Sequence, residues 1–410
     1  MFGGIIAFLI ASQMAVLVME RGVGATENAS VFMENLMKNY NKKVRPFADE
    51  EKRLDVSYKL HINSIGSISA MHSEFSMDFI LQQSWVDPRF KYDSKVDSPD
   101  HDLEFGYERF GDIWVPDTHI KNAKSAGTLS VTVPNVRLTI EPSGQIHYSQ
   151  RLTARMSCKM DLHFYPFDTQ TCGLALQPFG HTSDHVNVMW ADDNPVEFEE
   201  NFSVAEFDFK SLRTTYKNCS RVFPFSGGHF SCVSVYFTMD RDYGFYILSI
   251  IVPTALVIFA AWASMWVDVG AVPARTAIAL ICLMTISTKS SGLLQHLPRV
   301  TYVKVVDVWI VGTLTFVIIS FVEFVLVNAL NRRQRKFKEA EAKRKRDYVE
   351  KPASPETKVE IMPPVEPSIT GTTLENAARV IYPLLFLLFN VIFWLYAFKF
   401  FESSQSSANA

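Results

Sequence analysis

The sequence lacks the common catalytic signatures: no HExxH, no GxSxG, no P-loop and no CxxC occur in its 410 residues. Histidine and aspartate are present but scattered, so the chain reads as a protein that is not an enzyme and carries no cofactor. It also lacks an excess of either charge. Forty Lys and Arg against 43 Asp and Glu leave a net charge of −3, which removes nucleic acid as a partner. Charged residues at 20% and hydrophobic ones at 48% exclude a disordered chain. Two or three domains fit this length at about 150 residues each. The averages conceal a split: residues up to about Asp242 are polar with short alternating runs, and four long apolar stretches follow. A soluble half is joined to a membrane half.

The first apolar run, Phe2 to Met19, precedes Glu20, Arg21 and a small-residue stretch ending near Ala25. It reads as a signal peptide over residues 1–25, although its start has no Lys or Arg; a genuine spanning helix is the alternative. The later runs are Phe245 to Trp266, Ala274 to Leu294, Val305 to Asn328 and Val380 to Phe398. Crossing about 30 Å of hydrocarbon takes about 20 helical residues, and each run is close to that. Pro253, in the first, is tolerated where neighbouring helices satisfy the freed carbonyl. The second run differs, because Thr285, Ser287, Thr288, Lys289, Ser290 and Ser291 crowd its outer half. That load is cheap in water and expensive in lipid, so a pore lining is expected. Basic residues from Arg332 to Arg346 put the loop between the third and fourth spans in the cytoplasm, with both termini outside. That run either fixes orientation as a solvated helix or stands at an ion exit. Lys351 to Pro367, rich in Pro and Ser, reads as disordered.

Of five cysteines, Cys282 lies inside the second span as a small apolar filler. The other four, Cys158, Cys172, Cys219 and Cys232, fall outside, where disulfides persist, and allow three pairings. Local pairing, Cys158 with Cys172 and Cys219 with Cys232, closes small loops worth about 3 kcal/mol each in the chain-entropy model. Asn28, Asn201 and Asn218 begin glycosylation sequons. Short β-type runs such as Val131 to Val133, Val136 to Ile140 and Ser231 to Thr238 suggest a β-sandwich.

The stretch from Cys158 through KMDLHFYPFDTQT to Cys172 resembles the signature loop of the Cys-loop receptors, the pentameric ligand-gated ion channels. Pro166 and Asp168 match its Pro and Asp, with Tyr165 for the commoner Phe. Trp114 to Asp117, then Pro273-Ala274-Arg275, Ser290-Ser291-Gly292 and LPRVTYVKVVDVW from Leu297 to Trp309 follow in family order. The second cysteine pair is similar to that of the branch holding glycine receptors and invertebrate glutamate-gated chloride channels. The resemblance implies an α+β multidomain membrane protein: an extracellular β-sandwich followed by a four-helix transmembrane bundle, assembled as a homo- or heteropentamer in the plasma membrane, with a synapse as one setting. Its parts are the signal peptide 1–25, the ligand-binding domain 26–242, three spans within 243–330, a cytoplasmic loop 331–376, the fourth span 377–400 and an outer tail 401–410.

The second span's own pattern fits a pore. Ala277, Ile281, Met284, Thr288 and Ser291 follow a 4-3-4-3 spacing, one face of a helix, with ordinary helix packing as the alternative. Ala274 offers no carboxylate at the inner mouth, Val269 to Ile281 contains no acid, and Arg275 in five copies is expected to form a positive ring. Rings of one sign exclude ions of that sign, so chloride is the expected ion. Met284 stands where the family has its gate leucine, beside Leu283. Lys289 either adds a second positive ring or snorkels to the interface.

The family's agonist lies between subunits in an aromatic box, which the resemblance places at Phe179, Phe225 and Phe230, with His119, Gln82, Arg137, Thr139 and Ser149 around it. Relatives that bind glycine or glutamate carry an Arg where Gln82 stands, and further candidates align with Asn63 and Thr139. Arg137 shares a strand face with Thr139 and is a substitute clamp. Otherwise an amine is the better agonist, since aromatic faces attract a desolvated ammonium by about 2 kcal/mol. His119, His181 and His229, if they converge, permit proton or zinc gating; solvated loop histidines are the alternative. Coupling to the pore falls to Asp168, Arg241 and the stretch Arg299 to Lys304. Two other classes compete: an accessory subunit active only in heteromers and a membrane-anchored ectoenzyme, the latter without a motif.

Overall fold

The computed structural model describes residues 34–92, 102–200, 203–204, 206–216, 228–295, 297–350 and 371–408. Residues 1–25 and Asn28, Asn201, Asn218, Cys219 and Phe225 lie outside that set.

Among the described residues, twelve strands form two sheets before the membrane helices. The larger, eight-stranded sheet runs β10(Val196–Phe198), β1(Leu54–Ser69), β2(Glu74–Val86), β7(Gln145–Ser157), β6(Val136–Ile140), β3(Leu103–Phe105), with β9(Val186–Trp190) also on β1 and β5(Ala123–Thr128) also on β7. The smaller is β11(Phe207–Tyr216), β12(Val233–Arg241), β8(Thr169–Pro178), β4(Thr118–Ile120). Alternation sets the faces. Along β1, Leu54, Val56, Tyr58, Leu60 and Ile62 are buried, while Lys59 and His61 face outward and reach Glu197 and Glu199. Phe75, Met77, Phe79, Leu81 and Trp85 do the same on β2 and interleave with β8 and β12 residues such as Leu174, Val235 and Phe237 in one core. Val131 to Val133 is not a strand. This run sits at an exposed reversal closed by a Ser130–Pro134 bridge, and Pro134 has no amide to extend a ladder.

The chain leaves β12 at Arg241 and enters helix α1(Gly244–Trp266), then α2(Val272–Leu294), α3(Val305–Glu350) and α4(Gly371–Ala408). All four are long and apolar enough to cross a membrane. Near Pro253, α1 contains a π-type turn over Ile247–Ile251, and Lys289 of α2 points toward it, 3.5 Å from the Ser249 carbonyl. The π-turn lies where a proline cannot complete the ladder. Helix α3 runs unbroken past residue 330 into the basic segment, and α4 begins at Gly371, before residue 377. Trp309, buried among Phe389 and Phe393 of α4, donates to Thr254 Oγ1 of α1 at 2.8 Å and ties three helices together.

Candidate functional site: an extracellular cleft, a junction and a pore helix

On the smaller sheet, β8 ends at Pro178 and projects Phe179, 71% exposed. Asp117 shapes this turn. Its carboxylate accepts from the Gly180 amide at 2.5 Å and pairs with His181 Nδ1 at 3.0 Å. Burial pushes this carboxyl up, but the His181 and Gly180 bonds outweigh it and hold it below the usual range. His119, on β4, stands edge-on to Phe179 at 5.2 Å and contacts Gln177 at 3.3 Å. Partial burial lowers its pKa.

Phe230 does not wall a box. It is buried, because Ser231 Oγ bridges Val186 and Val188 and the His229 carbonyl accepts from Ser183, which sews this segment to β9. Nor do the three histidines converge on a metal: no group of three His, Cys, Asp or Glu suited to an ion occurs among the described residues. His181 is committed to Asp117.

The other predicted ligand residues lie on the outer face of the larger sheet. Gln82 pairs in register with Ser149, and Ser149 with Arg137, so three strands present one polar row beside Thr139. Arg137 is not a free clamp, since Glu104 binds it at 2.6 Å, and the neighbouring Arg151 is held by Asp78 at 2.5 Å. Phe179 and the Gln82 row therefore belong to different sheets of one chain. The Asp117 turn yields a first prediction. Its folded carboxyl pKa is depressed, so its stabilisation is complete above the free value and lost as pH falls through the folded one, below about pH 4. Asp117→Asn should raise the agonist concentration for half-activation about tenfold and flatten that acid limb in thermal unfolding, the cost of one charge-assisted hydrogen bond being about 1.5–3 kcal/mol.

At the base of the sandwich the signature loop rests on the helices. Cys158 and Cys172 are joined, and Cys232 is also disulfide-bonded. Asp168 and Arg241 are both buried and make a bidentate pair, Nε to Oδ1 at 2.8 Å and Nη2 to Oδ2 at 3.1 Å. The guanidinium also lies over Tyr165 at 4.8 Å and Phe207 at 4.6 Å. Two loop carbonyls, His163 and Tyr165, accept from the Val305 and Val306 amides at 3.0 and 3.2 Å and so cap the start of α3. The His163 ring stacks on Tyr302 at 3.8 Å, whose hydroxyl accepts from the Leu162 amide. Asp168, Arg241 and the stretch Arg299 to Lys304 thus meet at this junction, Tyr302 carrying the last; His163 and Tyr165 join them, with the aromatic run Phe164-Tyr165-Pro166-Phe167 as the sequence signal. Lys304 turns instead to Asp307 at 2.8 Å within α3, and Arg299 is exposed.

Helix α2 has two stripes. Ala274, Ala277, Ile281, Met284, Thr288 and Ser291 are all exposed. Arg275, Ala279, Cys282, Ile286 and Leu293 are buried against the other helices. This corrects the expected positive ring: Arg275 is 2% exposed and points into its own subunit, one residue and therefore about 100° past Ala274. Cys282 is a buried free thiol, as its apolar setting requires.

A family model described as the neurotransmitter-gated ion-channel ligand binding domain matches residues 29–243, and one described as the neurotransmitter-gated ion-channel transmembrane region matches residues 250–364. Among curated proteins, the chain is 32% identical over 303 residues to "Glycine receptor subunit beta" of Rattus norvegicus and to that of Mus musculus. The match covers 74% of this chain and 60% of each relative, so the chain spans about 60% of their length.

Proposed function

This chain belongs to the neurotransmitter-gated ion-channel family, and on that footing we propose that it is a subunit of a pentameric chloride channel of the plasma membrane, opened by a small extracellular agonist. The observation that carries this reading is the exposed stripe of α2, small and apolar toward Ala274 and hydroxylated toward Ser291. One chain leaves that stripe uncovered, and five around an axis enclose it. Selectivity then does not come from Arg275 side chains. Its sources are the absence of any acid from Val269 to Ile281 and the start of α2 at Val272, where a helix N-terminus carries partial positive charge at the inner mouth. Expression of the chain in oocytes should give agonist-evoked current that follows the chloride potential. Silence alone, with altered currents beside a co-expressed relative, assigns the accessory role instead.

The agonist site lies where Phe179 of one copy meets the Gln82–Ser149–Arg137 row of the next. That cleft offers an exposed aromatic face, and its arginines are spoken for by Glu104 and Asp78. Each arginine already has a carboxylate neighbour in its own chain, which makes it a weaker clamp for an agonist carboxylate and favours an amine. A panel of monoamines and choline esters should open the channel where glycine and glutamate do not. Gln82→Arg should then confer a glycine or glutamate response, because a bidentate Arg–carboxylate pair is worth about 2–3 kcal/mol, up to about a hundredfold in affinity. Opening of the unmodified channel by micromolar glycine contradicts the amine assignment.

A further inference from the structure

Arg275 is the base of a knot of four ionisable side chains, itself and Glu375 buried, that the pore does not use. Its Nε donates to the Val267 carbonyl at 2.8 Å, in the turn after α1, and its Nη2 to the Met265 carbonyl at 3.1 Å, in the last turn of α1. The same Nη2 pairs with Glu375 Oε1, in the first turns of α4, at 2.5 Å. Arg379, one turn on, shares that oxygen at 3.1 Å, donates to the Met265 carbonyl at 3.0 and 3.1 Å, and lies over Trp266 at 4.7 Å. Glu323 of α3 is within electrostatic reach of all three. Two guanidinium groups and two glutamate side chains are gathered here, Arg275 and Glu375 buried and Arg379 and Glu323 half-buried. The knot joins the inner ends of the four helices.

The knot is incompletely paired. Arg275 Nη1 and Glu323 Oε1 are both buried, and neither has a partner. A buried donor and a buried acceptor left open in one cluster define a pairing that this conformation does not make.

We propose that Arg275 is a positioning residue that exchanges between two carboxylates, Glu375 on α4 and Glu323 on α3, as the inner end of the pore helix moves. In the conformation described here Glu375 holds it, so the outermost helix fixes the inner mouth. Pairing with Glu323 through the open Nη1 stabilises a second position of α2. The two carboxylates then favour different states of the pore, although both sit outside the conducting path. Their removal has opposite effects on opening, an outcome that simple loss of packing does not produce.

The gating part rests on the channel reading; the latch itself does not. Two measurements on full-length protein separate them. The first is a thermal-unfolding cycle in detergent over wild type, Arg275→Gln, Glu375→Gln and the double variant. Arg275 and Glu375 share one ion pair that either single change breaks, so the double variant should melt no lower than the worse single one. Additive losses overturn the latch whether or not the protein conducts. The second measures, for Glu375→Gln and Glu323→Gln, the half-activating concentration of the most potent member of that monoamine and choline-ester panel. Shifts of at least fivefold in opposite directions, with the chloride reversal potential unmoved, are expected. Shifts in the same direction, or none, overturn the exchange. Should Arg275→Gln not assemble, the pair of glutamate variants, on α4 and α3, decides alone. A wild-type protein that neither carries chloride current nor alters that of a co-expressed relative defeats the channel reading and leaves the melting cycle to judge the latch.

Discussion

Replacing Arg241 with alanine should abolish agonist-evoked current while leaving the agonist cleft able to bind. The residue sits at the end of β12, three residues before α1 begins at Gly244. It makes a two-pronged bond to Asp168 in the middle of the signature loop. That loop, through the His163 and Tyr165 carbonyls, holds the first turn of α3. Arg241 therefore links the sandwich to two membrane helices at once, far along the sheet from Phe179. Burial tends to lower its pKa, but Asp168 more than compensates and raises it, so the cation is fixed in place. Alanine leaves Asp168 buried with only Gln170 as a close donor, and breaking such a pair costs about 3–5 kcal/mol. Arg241→Lys keeps the charge but loses the fork, so it should retain a fraction of the current. Current per surface receptor, set against amine binding on the same cells, is the readout. Unchanged currents at normal surface expression defeat this account of coupling.

Met284→Ser should make the channel leak. Met284 and Ile281 are 70% and 63% exposed on neighbouring turns of α2, with Ala277 below and Thr288 above. In the proposed pentamer they would form two stacked apolar rings, and a narrow apolar ring closes a pore by shedding water. Five hydroxyls in place of five thioethers give water a partner at the constriction. Every 1.4 kcal/mol removed from the closed state's advantage raises the open fraction about tenfold, so resting chloride conductance should rise at least about tenfold per surface receptor without agonist. Ile281→Ser should act in the same direction, since the barrier is shared between adjacent rings. Resting conductance equal to wild type in both variants places the gate elsewhere.

Much of this was legible in the residues. Val136 to Ile140 reads as a short β-type run and is a strand, and the 4-3-4-3 spacing of α2 picks out a face that the fold leaves uncovered. Strand propensity alone misled at Val131 to Val133, where Pro134 reverses the chain. Arg275 was misplaced for a different reason. Its own series, Arg275, Ala279, Cys282, Ile286 and Leu293, is as helical as the exposed stripe, whereas the family resemblance alone sets Arg275 beside Ala274 at the mouth. Its partner lies 100 residues away in sequence, and no local pattern announces a pair at that range. Gln83 shows the same limit: it occupies a core position of β2 and accepts from Thr118 Oγ1 at 2.7 Å, a bond that spans the two sheets. Phe230 read as a binding aromatic by position alone, whereas the hydrogen bonds that pin Ser231 turn it inward.

Modification of single cysteines along α2 by a negatively charged methanethiosulfonate, with Cys282 first changed to Ser, tests the proposed pathway most directly. Positions 277, 281, 284, 288 and 291 should react in agonist-opened receptors and block current, while 275, 279, 286 and 293 stay silent. Reaction along the second set, or exclusion of the anionic reagent where a cationic one enters, contradicts a chloride path along that helix face.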